Sequence, residues 1–271
     1  PNDAPGGEAA VVYISRRSTE TADRESISLA SESTLIEKVA SKYKKTIVML
    51  RTPGAYTMPW IDHADAVFQM WYPGQEEGNV EAALLFGDVS PSGKLPVTFG
   101  REREDYPATT RRTFPGIDTT VYYSEGIFVG YRYFEHHSNE PLFAFGHGLS
   151  YTSFEYSDLK LSSHNMREGQ PLKVSYTITN PGRMKGGEAP QLYIRDRKAE
   201  VPRPVKELKG FDKVFLKPGE SKRVEHTIQK RDLSYWDVEN NRWKAEVGRF
   251  NVLIGASASD IRLKGTFEYG K

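Results

Sequence analysis

Leu172-Lys173-Val174-Ser175-Tyr176-Thr177-Ile178-Thr179 alternates apolar and polar residues without a slip, the period-two pattern of a strand with one dry and one wet face. It predicts that Leu172, Val174, Tyr176 and Ile178 point into a core. Outward from this stretch, further runs with strand character occupy 191–195, 208–216, 223–228, 249–254 and 261–267. Asn180-Pro181-Gly182, Lys217-Pro218-Gly219 and Gly255 punctuate them with turn chemistry. Short strands at this spacing predict an all-β sandwich of the immunoglobulin or fibronectin type after Tyr151.

The first hundred residues follow a different rhythm. A strand is expected at 9–15. A helix is expected at 29–43, with Leu35, Ile36 and Val39 on one stripe and Ser31 or Ser33 as its cap, and a second strand at 46–50. A second unit pairs a strand at 66–70 with a helix at 76–85, bounded by Pro73-Gly74 and Gly87. Alternating strands and helices give a layered α/β sheet, and three strands with two helices make only part of a sandwich. The stretch 101–147 is rich in proline, tyrosine and charge without periodicity; its many aromatics argue for a packed connector. The expected fold class is therefore α/β plus all-β, a partial α/β sandwich over 1–103, a connector over 104–147 and a β-sandwich over 148–271.

Lysine plus arginine number 37 and aspartate plus glutamate 36, so no net field favours a polyanion, and nucleic acid is not an expected partner. There is no cysteine, which removes disulfides and thiolate zinc sites and leaves the compartment open. No apolar run approaches the length needed to cross a bilayer, so no membrane association is expected. The start, Pro1-Asn2-Asp3-Ala4-Pro5, lacks an initiator methionine and an apolar signal segment, and the chain reads as a soluble piece of a longer one. Neither a Walker loop nor a dinucleotide fingerprint is present, and no cofactor is indicated. His136-His137 lacks a third ligand at helical spacing and reads as a solvated pair, so no metal is expected. Lysine-rich 206–217 reads as the wet face of a sheet.

Several local strings have architectural readings. Pro73-Gly74 turns the chain so that Glu76 and Glu77 enter the first turn of a helix, where the dipole favours acids. Lys94 reads as a surface or pairing charge and His147 as a hydrogen-bonded structural histidine. Taken in order, these strings resemble the family 3 glycoside hydrolases of the β-glucosidase type. They are Ser18-Thr19-Glu20-Thr21-Ala22-Asp23-Arg24, Met58-Pro59-Trp60, Trp71-Tyr72-Pro73-Gly74-Gln75-Glu76-Glu77-Gly78, Gly87-Asp88-Val89-Ser90-Pro91-Ser92-Gly93-Lys94-Leu95-Pro96-Val97-Thr98-Phe99, Tyr123-Ser124-Glu125-Gly126-Ile127-Phe128-Val129-Gly130-Tyr131-Arg132-Tyr133 and Phe145-Gly146-His147-Gly148-Leu149-Ser150-Tyr151-Thr152-Ser153-Phe154. The resemblance runs almost end to end and implies an α/β-sandwich domain followed by a fibronectin III-like domain.

It also implies chemistry. Retaining glycosidases need one ionised carboxylate as nucleophile and one protonated carboxyl as acid. In this family the acid/base sits in a Ser-Gly-Glu-Gly-x-Asp-Arg loop after a strand of the sandwich, which the resemblance matches here to Ser18, Glu20, Asp23 and Arg24. Glu20 is thus the expected acid/base. Both glycines are replaced, by Thr19 and Thr21, which are expected to deny the loop a positive φ. Arg16, Arg17 and Arg24 crowd the carboxyl in sequence, with Asp23 and Glu25 as expected counter-charges. On its residues alone, Glu20 fits a solvated charged loop better than a catalytic site; its place in the matched string is what favours the acid/base role.

The resemblance places the nucleophile, an aspartate in Ser-Asp-Trp, on a TIM barrel. That string is absent, Ser234-Tyr235-Trp236-Asp237 falls in the β-sandwich, and no run of eight β-α units exists. The implied partners are therefore a TIM-barrel catalytic domain of the same enzyme and a β-glucoside or oligosaccharide, with substrate-binding residues unassigned and homo-oligomerisation left open. The competing reading is a non-catalytic carbohydrate-binding or scaffolding module.

Overall fold

The computed structural model describes residues 6–22, 24 and 26–270. Its contacts divide the chain into two units, the first comprising Pro1–Glu81, Val97–Tyr122 and Glu140–Phe143, the second Ala82–Pro96, Tyr123–Asn139 and Ala144–Lys271.

Unit 1 is built on a three-stranded parallel sheet in the order β1 (Gly7–Ser15), β2 (Tyr43–Arg51), β3 (Ala66–Gln69). Central β2 carries Val48, Met49 and Leu50 in succession, all fully buried, as expected of a strand covered on both faces. The connection from β1 to β2 runs through a 3-10 turn, Ala30–Glu32, and helix α1 (Ser33–Ala40). The helix is shorter than its apolar stripe predicted. Only Ile36 is buried, while Leu35 stays exposed. The expected serine cap does not form: Glu32 occupies the N-cap without a side-chain bond, and the Ser31 hydroxyl turns to the Glu32 carboxylate at 2.6 Å. Trp60 is fully buried and donates its indole N–H to the Leu29 carbonyl at 3.0 Å, locking the entry of this crossover. Helix α2 (Glu77–Leu85) begins after Gly74 and ends before Gly87, both at φ +80°, the left-handed conformation that glycine accepts at helix boundaries.

Unit 2 contains short helix α3 (Tyr131–His136), which the aperiodic sequence did not disclose, and the predicted β-sandwich. Its strands are β4 (Glu155–Leu161), β5 (Asn165–Met166), β6 (Leu172–Thr179), β7 (Gly186–Glu188), β8 (Gln191–Asp196), β9 (Glu207–Phe211), β10 (Val214–Leu216), β11 (Ser221–Ile228), β12 (Tyr235–Asp237), β13 (Arg242–Lys244), β14 (Gly248–Gly255) and β15 (Ile261–Tyr269). They form sheets ordered β11-β6-β4 and β5-β15-β14-β8-β9, with smaller pairs β10-β7 and β12-β13. One-turn α4 (Lys230–Leu233) precedes the β12-β13 hairpin. Leu172, Val174, Tyr176 and Ile178 all enter the core, with Leu192, Ile194, Phe250, Val252, Ile254 and Phe267 from the larger sheet. The single strand expected at 208–216 is instead two, β9 and β10, in different sheets. The break falls at Asp212-Lys213, two polar residues that interrupt the apolar run.

The larger sheet is buried on its second face as well. Tyr193, Leu253 and Ala258 form a separate cluster, against which Tyr131 and Phe145 pack. Lys206 corrects the reading of 206–217 as uniformly wet: it is 7% exposed, paired with Glu135 of α3 and 5.5 Å from the Tyr193 ring centroid. Gly146 is required here. It sits at φ +79°, and a Cβ would come within 2.1 Å of the Gln191 amide, which donates to the Gly146 carbonyl.

Asn180, fully buried, is the polar hub of the sandwich. Its amide donates to the Met184 and Leu216 carbonyls at 2.8 and 3.0 Å, and its carbonyl oxygen accepts from Gly182 N–H at 3.0 Å and the Thr152 hydroxyl at 2.7 Å. Its backbone adds bonds to Glu220 and Gly219. Asn180→Ala leaves the buried Leu216 carbonyl and the half-buried Met184 carbonyl without this donor, so a loss of about 3 kcal/mol in the denaturant transition of unit 2 is expected; a loss below about 1 kcal/mol would refute the hub.

Between β6 and β11, the Tyr176 hydroxyl lies 2.9 Å from His226 Nε2. Burial, opposed by Asp212, holds this imidazole below its ordinary value of 6.5. The unfolded chain then takes up the proton first, so stability is fully present above about pH 6.5 and falls as the pH drops toward the folded value. His226→Gln should flatten the stability slope between pH 7 and pH 5 measured by denaturation, and an unchanged slope would exclude His226 as its source.

Candidate active-site loop

The parallel strands of unit 1 all end on one side, at Ser15, Arg51 and Gln69, the edge at which open α/β sheets gather functional loops. The loop carrying Glu20 leaves from this edge. Its first residue is tied down four ways: Arg16 N–H donates to the Arg51 carbonyl at 3.0 Å, its carbonyl accepts from the Tyr72 hydroxyl at 2.8 Å, and its guanidinium pairs with Glu32 and reaches the Ser31 hydroxyl at 3.4 Å. At the far end, the Arg24 guanidinium lies 5.0 Å from the Tyr56 ring centroid, over a ring that is 2% exposed. The counter-charge for Arg16 is thus Glu32. The expected counter-charges Asp23 and Glu25 lie outside the described residues.

Between these anchors the chain doubles back, with Thr19 bridging Ala22. Glu20 and Thr21 form the tip, both exposed. Thr21 adopts φ +69°, so threonine does not deny the loop a positive φ; the turn imposes it on a β-branched residue. Among the described residues the Glu20 carboxylate has no hydrogen-bond or ion-pair partner.

Beside the loop lies a charged cluster that sequence reading did not assemble. Arg51 chelates Glu81 through Nη2, at 3.0 and 2.8 Å to its two oxygens, with Nε at 3.1 Å; it also pairs with Glu77 and lies 4.6 Å from the Tyr13 ring centroid. Glu81 is 3% exposed. Hydrogen bonding to Glu81 raises Arg51 further above its ordinary range, and burial, helped by Glu81, raises the Tyr13 phenol. Glu77 stands in the first turn of α2 as predicted, but its ion pair is an additional role. The signal was the i,i+4 spacing of Glu77 and Glu81, which puts both on one helix face. Glu76, just before the helix, accepts from the Asn79 amide at 2.6 Å.

The remaining candidates are placed elsewhere. His136 stacks on Phe128 at 4.0 Å and His137 Nδ1 lies 3.1 Å from the Tyr133 carbonyl; among the described residues no group of three or more metal-ligating side chains forms. Asp237 of Ser234-Tyr235-Trp236-Asp237 accepts from Asn240 in the β12-β13 turn, and these donors hold its carboxyl below the usual range. Lys94 pairs with Glu188 at 2.9 Å in unit 2. No described helix is long and apolar enough to cross a membrane.

Residues 2–151 match the model of the glycosyl hydrolase family 3 C-terminal domain, and 188–258 match the fibronectin type III-like domain. The chain is 43% identical over 265 residues to thermostable beta-glucosidase B of Acetivibrio thermocellus, covering 96% of this chain and 35% of that protein. A beta-glucosidase of Rhizobium radiobacter is 45% identical over 230 residues, covering 84% of this chain and 28% of the relative. Among solved structures, beta-glucosidase 3B from Thermotoga neapolitana, in complex with alpha-D-glucose, superposes with a TM-score of 0.90 at 40% identity, covering 97% of this chain and 38% of that one. A family 3 beta-glucosidase from Bifidobacterium adolescentis superposes at 0.91 and 32% identity, covering 99% and 39%. The chain thus spans about a third of the length of these relatives. With a family model covering more than half of its residues and relatives this similar along nearly all of it, the chain belongs to glycosyl hydrolase family 3.

Proposed function

We propose that this chain is the C-terminal part of a retaining exo-acting β-glucosidase and supplies its acid/base, Glu20, to terminal β-D-glucosyl residues. The observation that carries the reading is the position of Glu20 at the tip of a doubly anchored loop on the C-terminal edge of the parallel sheet, in a chain similar along nearly its whole length to named beta-glucosidases. In the proposed cycle, the nucleophile belongs to a TIM-barrel domain of the same enzyme. Glu20 donates its proton to the leaving oxygen as the glycosyl-enzyme forms, then takes a proton from the water that cleaves it. The anchors at Arg16 and Arg24 spare the carboxyl a search through loop conformations. With this reading we propose a domain plan of 1–103, 104–147 and 148–271, part of an α/β sandwich, a packed connector and a fibronectin III-like domain. The exposure of Glu20 is the one observation that favours a non-catalytic module instead.

In the full-length parent, Glu20→Ala should lose about 10²-fold or more in turnover of aryl β-glucosides with poor leaving groups and much less with activated ones. Added azide should restore turnover of the activated substrates by attacking the glycosyl-enzyme without base help. Equal rates for parent and variant would sink the assignment, and an inactive parent would favour the module.

Thr21→Gly should relieve the left-handed backbone strain and stabilise unit 1 by about 1 kcal/mol in denaturant titrations. Destabilisation instead would mean that the threonine side chain holds the turn.

A further inference from the structure

Three side chains from two distant segments of unit 1 converge on Arg16. The Tyr72 hydroxyl donates to its carbonyl, while Glu32 and Ser31 hold its guanidinium, whose other arm donates to the Ser15 carbonyl at 3.0 Å. Helix α1 makes no use of the Glu32 side chain: at the N-cap position it forms no bond to the helix. The turn leading into α1 is served instead by the Ser28 hydroxyl, which accepts the Ala30 N–H at 3.2 Å. The bonds of the Glu32 carboxylate point away from its own helix, one oxygen to Arg16 and the other to the Ser31 hydroxyl at 2.6 Å.

Tyr72 comes from the opposite side. It is 56% exposed, so water alone would satisfy its hydroxyl, yet that hydroxyl is spent on the Arg16 carbonyl at 2.8 Å. The chain bends to bring it there. Trp71, just before it, adopts φ +56°, a left-handed conformation that a bulky residue takes only where its surroundings impose it. They do so here from both ends: Met70 N–H is bonded to the Leu50 carbonyl at 2.8 Å, and the Trp71 ring stands edge-on to buried Phe99 at 6.5 Å. Backbone strain of this kind collects at functional sites, and its product here is a tyrosine aimed at the Glu20 loop.

What a hold on Arg16 accomplishes follows from chain length. Glu20 stands four residues further on, and Thr19 is already bridged to Ala22, so few backbone rotations remain between the anchor and the carboxyl. An acid catalyst must come within hydrogen-bond reach of the leaving oxygen, and misplacement by an ångström is costly. Glu32 has a second effect. A released Arg16 guanidinium could fold onto the Glu20 carboxylate, which has no partner among the described residues, and occupy the group that must face the substrate.

We propose that Glu32 and Tyr72 are positioning residues which, acting through Arg16, hold the loop so that the Glu20 carboxyl meets the leaving oxygen. This rests on Glu20 as the acid/base. The test compares Glu32→Gln, Glu32→Asp, Tyr72→Phe and Glu20→Ala in the full-length parent, with aryl β-glucosides of graded leaving groups and with inhibition by D-glucose. For Glu32→Gln and Tyr72→Phe, kcat/KM should fall about tenfold with poor leaving groups and less than about twofold with activated ones, while D-glucose inhibition stays within about twofold. Glu32→Asp, which keeps the carboxylate, should recover most of the loss. Tyr72→Phe, at an exposed ring, should melt with the parent and so separates catalysis from folding. A loss equal for all leaving groups, or parental rates with poor ones, would overturn the positioning role. Glu20→Ala separates the two readings: if it alone shows the leaving-group dependence, only the positioning role is lost, and if it shows none, the acid/base assignment falls and the positioning role with it.

Discussion

Strands β8 and β14 are buried on both faces, and much of unit 2 follows from that constraint. A strand at the middle of a two-sheet sandwich needs one dry face; these two present Leu192, Ile194, Val252 and Ile254 to the main core and Tyr193 and Leu253 to the other side. Left in water, that second surface would forfeit roughly 25 cal/mol for each square ångström of apolar area. Tyr131 and Phe145 cover it, the Tyr131 ring edge-on to Tyr193 at 5.9 Å and tilted against Phe145 at 5.1 Å. The Tyr131 hydroxyl meanwhile accepts the Leu208 N–H at 2.9 Å, so the covering segment also engages β9. Lys206 is drawn under the same cover, and its ammonium needs the Glu135 carboxylate there because an unpaired buried charge would be untenable.

In unit 1 the organising fact is the common direction of three strands. Parallel pairing brings the ends of β1, β2 and β3 to one edge, and the residues just beyond them, Arg16, Thr52 and Met70, bond back across it. The exit from β1 is therefore aimed by the sheet before its own side chains act. Of the three arginines that crowd Glu20 in the linear sequence, Arg16 and Arg24 are engaged on Glu32 and on Tyr56.

Period-two alternation made the β-sandwich legible where a strand has one dry face; β6 is the clearest instance, with all four predicted core residues buried. The short elements β5, β7 and β13 were illegible for the same reason inverted, since two or three residues cannot show a period. Helix α3 escaped notice because Tyr131–His136 is a single amphipathic turn and a half among tyrosines and histidines, a composition with no helical bias, held by contacts to β8 and β9. At the loop, Glu20 was visible only through the string around it. The positive φ of Thr21 was not, because side-chain preference argues against it and the bridge between Thr19 and Ala22 overrules preference. The Arg51–Glu81 pair stayed hidden as a contact between residues thirty apart in sequence, with each charge unremarkable where it stands.

The bonds that converge on Asn180 have a kinetic meaning. One side chain holds the backbone at Met184, Leu216 and Gly182 and the side chain at Thr152, while its own backbone is bonded to Glu220 and Gly219. None of these segments can fray alone without stranding a buried amide, so they open together or not at all. Their amide protons therefore form one slow class in hydrogen exchange, released by a concerted opening rather than by loop-by-loop breathing.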